Sequence, residues 1–222
     1  MDVTVVKIGG SLALYPEKLR MLCSKLSAAA KKQNILVVPG GGEFADIVRI
    51  VDKRFSLSDS ASHQMAILGM DQYGLLLSDL IKNSHVINQL EHAQNVLDSH
   101  KLPFFLPSNF MLKNNPLENS WDVTSDSIAV YLANQLHTEK VLLVTDVDGI
   151  FTCDPKKHAD AKLMNEISAK QLDAMSERTS VDKFLPKLLL KMQIQCFVVN
   201  GLFPHRVEDI LKDQNSVYTL IN

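Results

Sequence analysis

The sequence predicts an α/β protein, a three-layer αβα sandwich around a mostly parallel central sheet. Two observations carry this. Short β-branched apolar runs alternate with longer segments of helical periodicity along the 222 residues. The runs are apolar at nearly every position, as expected of strands buried on both faces. A third feature, glycine turns directly after the first two runs, marks one edge of the sheet as a place where ligands can approach the backbone.

The first strand, VTVVKI at 3–8, ends in Gly9-Gly10-Ser11, and a helical pattern follows over 16–32. ILVVP at 35–39 is the second strand; it runs into Gly40-Gly41-Gly42 and a helix over 43–56. A long helix covers 59–82, and its Ala61, Met65, Leu68, Leu75, Leu76 and Leu80 give an apolar face wide enough for the core or for a partner. The strand LPFFLP, 102–107, precedes Ser108 to Asp122, which is rich in Asn, Ser and Pro and lacks periodicity. That segment is expected to be a loop, a hinge between an N-terminal lobe of about residues 1–120 and a C-terminal lobe of about 121–222 within a single domain. A helix over 124–136, capped by Asp122 or Thr124, leads to the strand KVLLVTD at 140–146. Helices at 168–175 and 182–193, the strand QCFVVN at 195–200, a helix at 205–213 and the strand SVYTLI at 216–221 complete the alternation. Because Pro186 fits only near a helix start, the helix within 182–193 is expected to begin at about 185.

Composition narrows the function. The formal net charge is -2, with acids and bases interleaved, so neither nucleic acid nor an anionic membrane surface is expected as a partner. No apolar run approaches the roughly 20 residues that span a bilayer. The N-terminal MDVTVVKIGG lacks the pattern of a secretory leader, and a cytoplasmic protein is expected. Cys23, Cys153 and Cys196 are odd in number and widely spaced, which suits reduced thiols better than disulfides or zinc.

A strand running into glycines and then a helix presents backbone N–H groups and a positive helix end, a seat for phosphate or carboxylate. VVKIGGSL and VVPGGGEFAD are two such turns. The P-loop pattern G-x-x-x-x-G-K-[ST] is absent. Gly40 to Ala45 matches the dinucleotide pattern G-x-G-x-x-[GA], which keeps open a dinucleotide-binding oxidoreductase, or a non-catalytic nucleotide-binding module, using the Gly40–Gly42 loop. Its context is unfavourable, because Ser58 to Leu80 is helical where a second strand ending in an acid is required. The acids of VLLVTDVDGIFTCDP do not have EF-hand spacing, and no protein metal ligands are identified.

Lys7 with Gly9, Gly10 and Ser11, then the triple glycine, TSDSIAVYLANQL and VLLVTDVDGIFTCDP, in this order over nearly the whole chain, resemble the amino acid kinase family. The resemblance implies the carbamate kinase-like fold and an ATP-dependent phosphotransferase, with Mg2+ carried by the nucleotide phosphates. It implies that Lys7 stabilises the transferred phosphoryl group and that Asp126 orients two lysines. It places Gly9, Gly10 and Ser11 on the nucleotide phosphates and Thr145, Asp146, Phe151 and Asp154 around the adenosine. The second lysine lies in SVDKFLPKLLLK, which departs from the family's Gly-Gly-Met-x-x-Lys; Lys187 takes the lysine position and Lys183 is its rival. Gly40, Gly41 and Gly42 would grip the acceptor, joined by His63, which resembles the phosphate-binding histidine of isopentenyl phosphate kinases. The acceptor is a phosphate monoester or a carboxylate. HQMAILGMDQYG and VDKFLPKLL resemble a subgroup of the family acting on an aminomethylfuran methyl phosphate. A homodimer or higher homo-oligomer through the 59–82 helix is also implied.

Overall fold

The computed structural model describes residues 3–153, 155, 157–175 and 179–222. Its spine is an eight-stranded sheet of order β3-β4-β2-β1-β5-β9-β10-β8. The central strands are β1 (Thr4–Ile8), β2 (Ile35–Pro39), β5 (Lys140–Thr145) and β9 (Gln195–Asn200); β4 (Leu102–Phe105) and β3 (Ser84–Ile87) extend one edge. On the other side β10 (Tyr218–Ile221) runs antiparallel to β9 and parallel to β8 (Glu166–Ile167), while the remaining pairs are parallel. The predicted α/β sandwich with a mostly parallel sheet is therefore observed.

Two packed clusters cover the two faces. Alternation along β1 sends Val5 to one and Val6 and Ile8 to the other. The Val6 side receives α1 (Pro16–Ala29) and α9 (Pro204–Leu211) through Leu22, Leu26, Val207 and Ile210. The Val5 side receives α4 (Ala93–Asp98), α5 (Ser108–Asn114), α6 (Ser125–Gln135), α7 (Ala169–Asp173) and α8 (Leu185–Leu189). Two further helices, α2 (Gly42–Phe55) and α3 (Asp59–Asp79), pack against each other. From α3, Ile67 and Met70 join the first-named strand face of Val5, and Tyr73 and Leu77 join that of Val6. Lys7 follows the alternation onto the face of Val5, toward α6.

The expected loop at 108–122 is corrected in its first half, where α5 forms. Asp71 of α3 accepts hydrogen bonds from the Ser108 amide and hydroxyl, a cap supplied from a distance. The α5 helix also buries Met111 and sets Phe110 against Phe105 and Tyr131. Within 182–193 the helix is shorter than its periodicity suggests and begins at Leu185, with Pro186 in its first turn. The β6 (Ile150–Phe151) and β7 (Leu163–Met164) hairpin leaves the main sheet as a separate two-stranded unit.

No strand follows α2 within the span that the dinucleotide pattern needs. The helix α3 comes next, and the following strand, β3, lies at the far edge of the sheet. The glycines of this turn serve a different geometry. A Cβ on Gly10 would lie 2.2 Å from the Gly42 nitrogen, and one on Gly40 would lie 2.7 Å from the Gly10 nitrogen. The two glycine turns therefore pack backbone against backbone at the carboxyl edge of β1 and β2.

Candidate active site

A cleft of about 640 Å³ opens at this edge, lined by both glycine turns, α2, α3 and the start of α6. At its base Lys7 is 7% exposed, and its Nζ lies 2.7 Å from Asp126 Oδ1. Asp126 occupies the first turn of α6, where the helix dipole favours a carboxylate. Its other oxygen accepts a hydrogen bond from the Asp182 amide at 3.2 Å. One buried carboxylate thus connects the end of the central strand to the segment bearing the candidate second lysine.

Asp182 itself supplies the cap expected of Asp122 or Thr124. Its Oδ2 accepts from the Thr124 amide (2.9 Å), Thr124 Oγ1 (3.0 Å) and the Ser127 amide (2.9 Å). Its Oδ1 accepts from Ser127 Oγ (2.6 Å) and the Leu185 amide (2.9 Å). Five donors from two helix starts converge on one side chain, so α6 and α8 are held in register by it. Burial, and secondarily the negative charge of Asp126, push its carboxyl up to about 6 against the pull of the hydrogen bonds from Ser127 and Thr124.

The residues expected on the nucleotide side separate. Gly9, Gly10, Ser11 and Thr145 line the cleft, although the Gly9 amide is committed to the Val144 carbonyl at 2.7 Å. Asp146 accepts from Ser11 Oγ at 2.8 Å and from Thr145 Oγ1 at 3.3 Å, bracing the first turn. Phe151 is half-buried on the hairpin, paired with Leu163. Asp154 lies outside the described residues. Asp148, read as turn chemistry, accepts from Arg206 at 2.6 Å and from Asn200 Nδ2 at 2.8 Å and ties the loop after β5 to the end of β9.

Lys183 lines both the cleft and a neighbouring cavity of about 270 Å³, whereas Lys187 lines only the latter. Lys187 Nζ stands 5.9 Å from the Phe184 ring centroid. Lys183 pairs with Asp122 at 3.5 Å with both side chains more than 60% exposed, a contact of little energetic weight. Of the two candidates, Lys183 is therefore the one that shares a cavity with Lys7.

Of the residues expected to bind the acceptor, Gly41, Gly42 and His63 line the cleft, and Gly42 has φ +56. Gly40 does not line it; its amide donates to the Ile8 carbonyl at 2.8 Å. His63 is buried, and desolvation lowers its pKa against an opposing hydrogen bond with the Ser120 backbone, so the ring is neutral at pH 7. Tyr73 Oη, donating to the Gly9 carbonyl at 3.3 Å, braces the first turn from below.

Glu43, Asp46, Arg49 and Trp121 also line the cleft, and the sequence reading did not single them out. A detectable signal existed for three of them, because 43, 46 and 49 recur every three residues on the helix leaving the second glycine turn. Among the described residues, ligand atoms of Cys153, His158 and Asp160 lie within 4.8 Å of one another. They lie beyond β6 rather than on the cleft, so they assign no protein ligand to a metal carried by nucleotide phosphates.

A family model described as the amino acid kinase family matches residues 2–200. The chain is 37% identical over 219 residues to a [5-(aminomethyl)furan-3-yl]methyl phosphate kinase of Methanocaldococcus jannaschii, covering 98% of this chain and 96% of that one. It is 26% identical to a uridylate kinase of Thermococcus kodakarensis, with 96% of each covered. In fold it resembles the crystal structure of uridylate kinase from Archaeoglobus fulgidus, with a TM-score of 0.75, 20% identity and 100% of both chains covered. It also resembles the isopentenyl phosphate kinase of T. acidophilum, with a TM-score of 0.66, 21% identity and coverage of 99% and 100%. No helix among the described residues is long and apolar enough to cross a membrane. With the matched region running from the first strand through both glycine turns, Asp126 and the end of β9, the chain belongs to the amino acid kinase family and is a kinase.

Proposed function

We propose that this kinase transfers the γ-phosphoryl group of ATP, delivered with Mg2+, to a small phosphate monoester of the aminomethylfuran methyl phosphate type. The observation that carries the reading is the buried Lys7–Asp126 pair at the base of a cleft edged by two interlocked glycine turns. Phosphoryl transfer asks mainly for positioning and for charge directed at the moving group. Lys7, held by Asp126, supplies a preorganised charge of that kind. Gly10 and Ser11 approach the nucleotide phosphates, with Asp146 fixing the Ser11 hydroxyl. Gly41, Gly42 and neutral His63 face the acceptor, and Lys183 provides the second cation. The phosphate-monoester choice is supported by the relative at 37% identity, a [5-(aminomethyl)furan-3-yl]methyl phosphate kinase.

A coupled ADP-release assay tests the choice of acceptor. [5-(aminomethyl)furan-3-yl]methyl phosphate, UMP and acetylglutamate are compared at saturating Mg-ATP. Acceptor-dependent ADP formation is expected with the aminomethylfuran phosphate; a rate at the acceptor-free background there, with turnover of acetylglutamate instead, overturns it. Mg-ATP at 100 times its Kd should raise stability by about 2.7 kcal/mol. At this chain length that corresponds to a Tm increase of roughly 5–10 °C. NADH should give none.

We also propose a homodimer through α3. Met65, Leu68, Leu75 and Leu76, expected to serve either core or partner, remain exposed there, while the helix turns Ile67, Met70 and Leu77 inward. Light scattering after gel filtration should give twice the 24.8 kDa chain mass, and the double change Leu68→Glu, Leu75→Glu should halve it. A wild-type chain of monomer mass rules the dimer out.

A further inference from the structure

We infer that Arg49, clamped against Trp121, is the residue that binds the phosphate of the acceptor on the α2 side of the cleft. The inference rests on the phosphate-monoester reading above and adds the group that would recognise that phosphate. The guanidinium carbon of Arg49 lies 4.4 Å from the centroid of the Trp121 ring. The indole is itself fixed, because its Nε1 donates to Asp52 Oδ2 at 2.7 Å. Arg49 and Asp52 stand three residues apart on one face of α2. One helix thus carries both the cation and the carboxylate that locks the aromatic plate beneath it.

Charge in the cleft points to the same residue. Three cationic side chains line it. Lys7 is engaged by Asp126 at 2.7 Å, and Lys183, only weakly paired with Asp122 at 3.5 Å, is already assigned as the second cation. The nearest carboxylate to Arg49 is that of Asp46, at 3.9 Å and 69% exposed. That distance is too long for a hydrogen bond, and Arg49 makes none among the described residues. Its planar fork therefore keeps its N–H donors available on the cleft, with the stacking face already immobilised. A fork of this kind binds a phosphate through two parallel hydrogen bonds, and its preorganisation lowers the entropy lost on binding. Trp121 lies five residues before Asp126 in sequence, so the same plate links the acceptor side to the segment that leads into α6.

The test uses the full chain and two independent readouts. In steady-state kinetics at saturating Mg-ATP, Arg49→Ala is expected to raise the KM for [5-(aminomethyl)furan-3-yl]methyl phosphate by about 10- to 100-fold, the range for losing charge-assisted hydrogen bonds. The KM for ATP should stay within about twofold, on the same argument. Arg49→Lys, which keeps the charge and loses the fork, should restore only part of the loss. Trp121→Phe, which keeps a ring and removes the indole N–H, should raise the acceptor KM by less than Arg49→Ala. Calorimetric binding of the same phosphate without ATP separates the two readings. Wild-type binding weakened by Arg49→Ala, whether or not turnover follows, supports the Arg49 assignment. Equal binding by both proteins, or no binding by the wild type, overturns it. Tight wild-type binding with no ADP formation overturns the assigned acceptor reaction instead. Circular dichroism of each variant guards against loss of fold.

Discussion

Replacing Lys7 by alanine should lower kcat by roughly 10²- to 10³-fold, the usual cost of removing one preorganised charge contact to a transition state. The size of the effect follows from where the lysine sits. It lies on the central strand between β2 and β5, 7% exposed, with its ammonium 2.7 Å from Asp126, so its position requires little reorganisation when charge develops. The same burial makes the single variant ambiguous, because it strands the Asp126 carboxylate without its cation. Removing one partner of a buried pair costs about 3–5 kcal/mol, and lost turnover could then report a lost fold. The double change Lys7→Ala, Asp126→Asn separates the two causes. Asparagine can still accept from the Asp182 amide and carries no charge to strand. The double variant should recover most of the Tm lost by the single one while kcat stays low. Recovery of Tm and kcat together would make Lys7 a structural residue.

What could be read in the sequence depended on how local its cause was. The strands β1, β2, β5 and β9 were legible because each is buried on both faces and carries that fact in a continuous apolar run. The placement of Lys7, Gly10 and Asp126 at one cleft was legible through short motifs. By contrast, α5 owes its start to Asp71, 37 residues away, so Asn and Ser in its sequence read as loop. The short β3, SHVI, sits at the sheet edge with only its last residue buried, leaving too little pattern to find. The cap of α6 comes from Asp182, 55 to 58 residues further on. Gly40 was expected to face an anion, and instead its missing side chain admits the Gly10 backbone. Lys187 matched the family spacing, yet Pro186 sets the start of α8 so that the lysine faces the smaller cavity. For α5, the α6 cap and Gly40 the deciding partner is distant in sequence, and no local period encodes it.

Asp182 gives the second large effect, and it is one of pH. Burial and the charge of Asp126 raise its carboxyl from 3.8 to about 6. A carboxyl with a native pKa above its unfolded value is held protonated more tightly by the native state. Its contribution is therefore full below about pH 4, where both states are protonated, and is lost as pH rises through about 6. At roughly 1.36 kcal/mol per pH unit, the gap between 3.8 and about 6 amounts to at most about 3 kcal/mol. Urea unfolding of the wild type from pH 4 to 7 should show this decline relative to Asp182→Asn, which cannot titrate. Groups common to both proteins, His63 among them, cancel in the difference. Parallel profiles would show that Asp182 titrates as it does in the unfolded chain. The result bears on catalysis because the Asp182 amide donates to Asp126 Oδ2 and its carboxylate gathers the starts of α6 and α8. Asp182→Ala at pH 7 leaves five donors without this acceptor, so it should lower Tm and kcat together while Asp182→Asn, which keeps an acceptor oxygen, lowers them less. A kcat unchanged in the alanine variant would uncouple the cap from the position of Asp126.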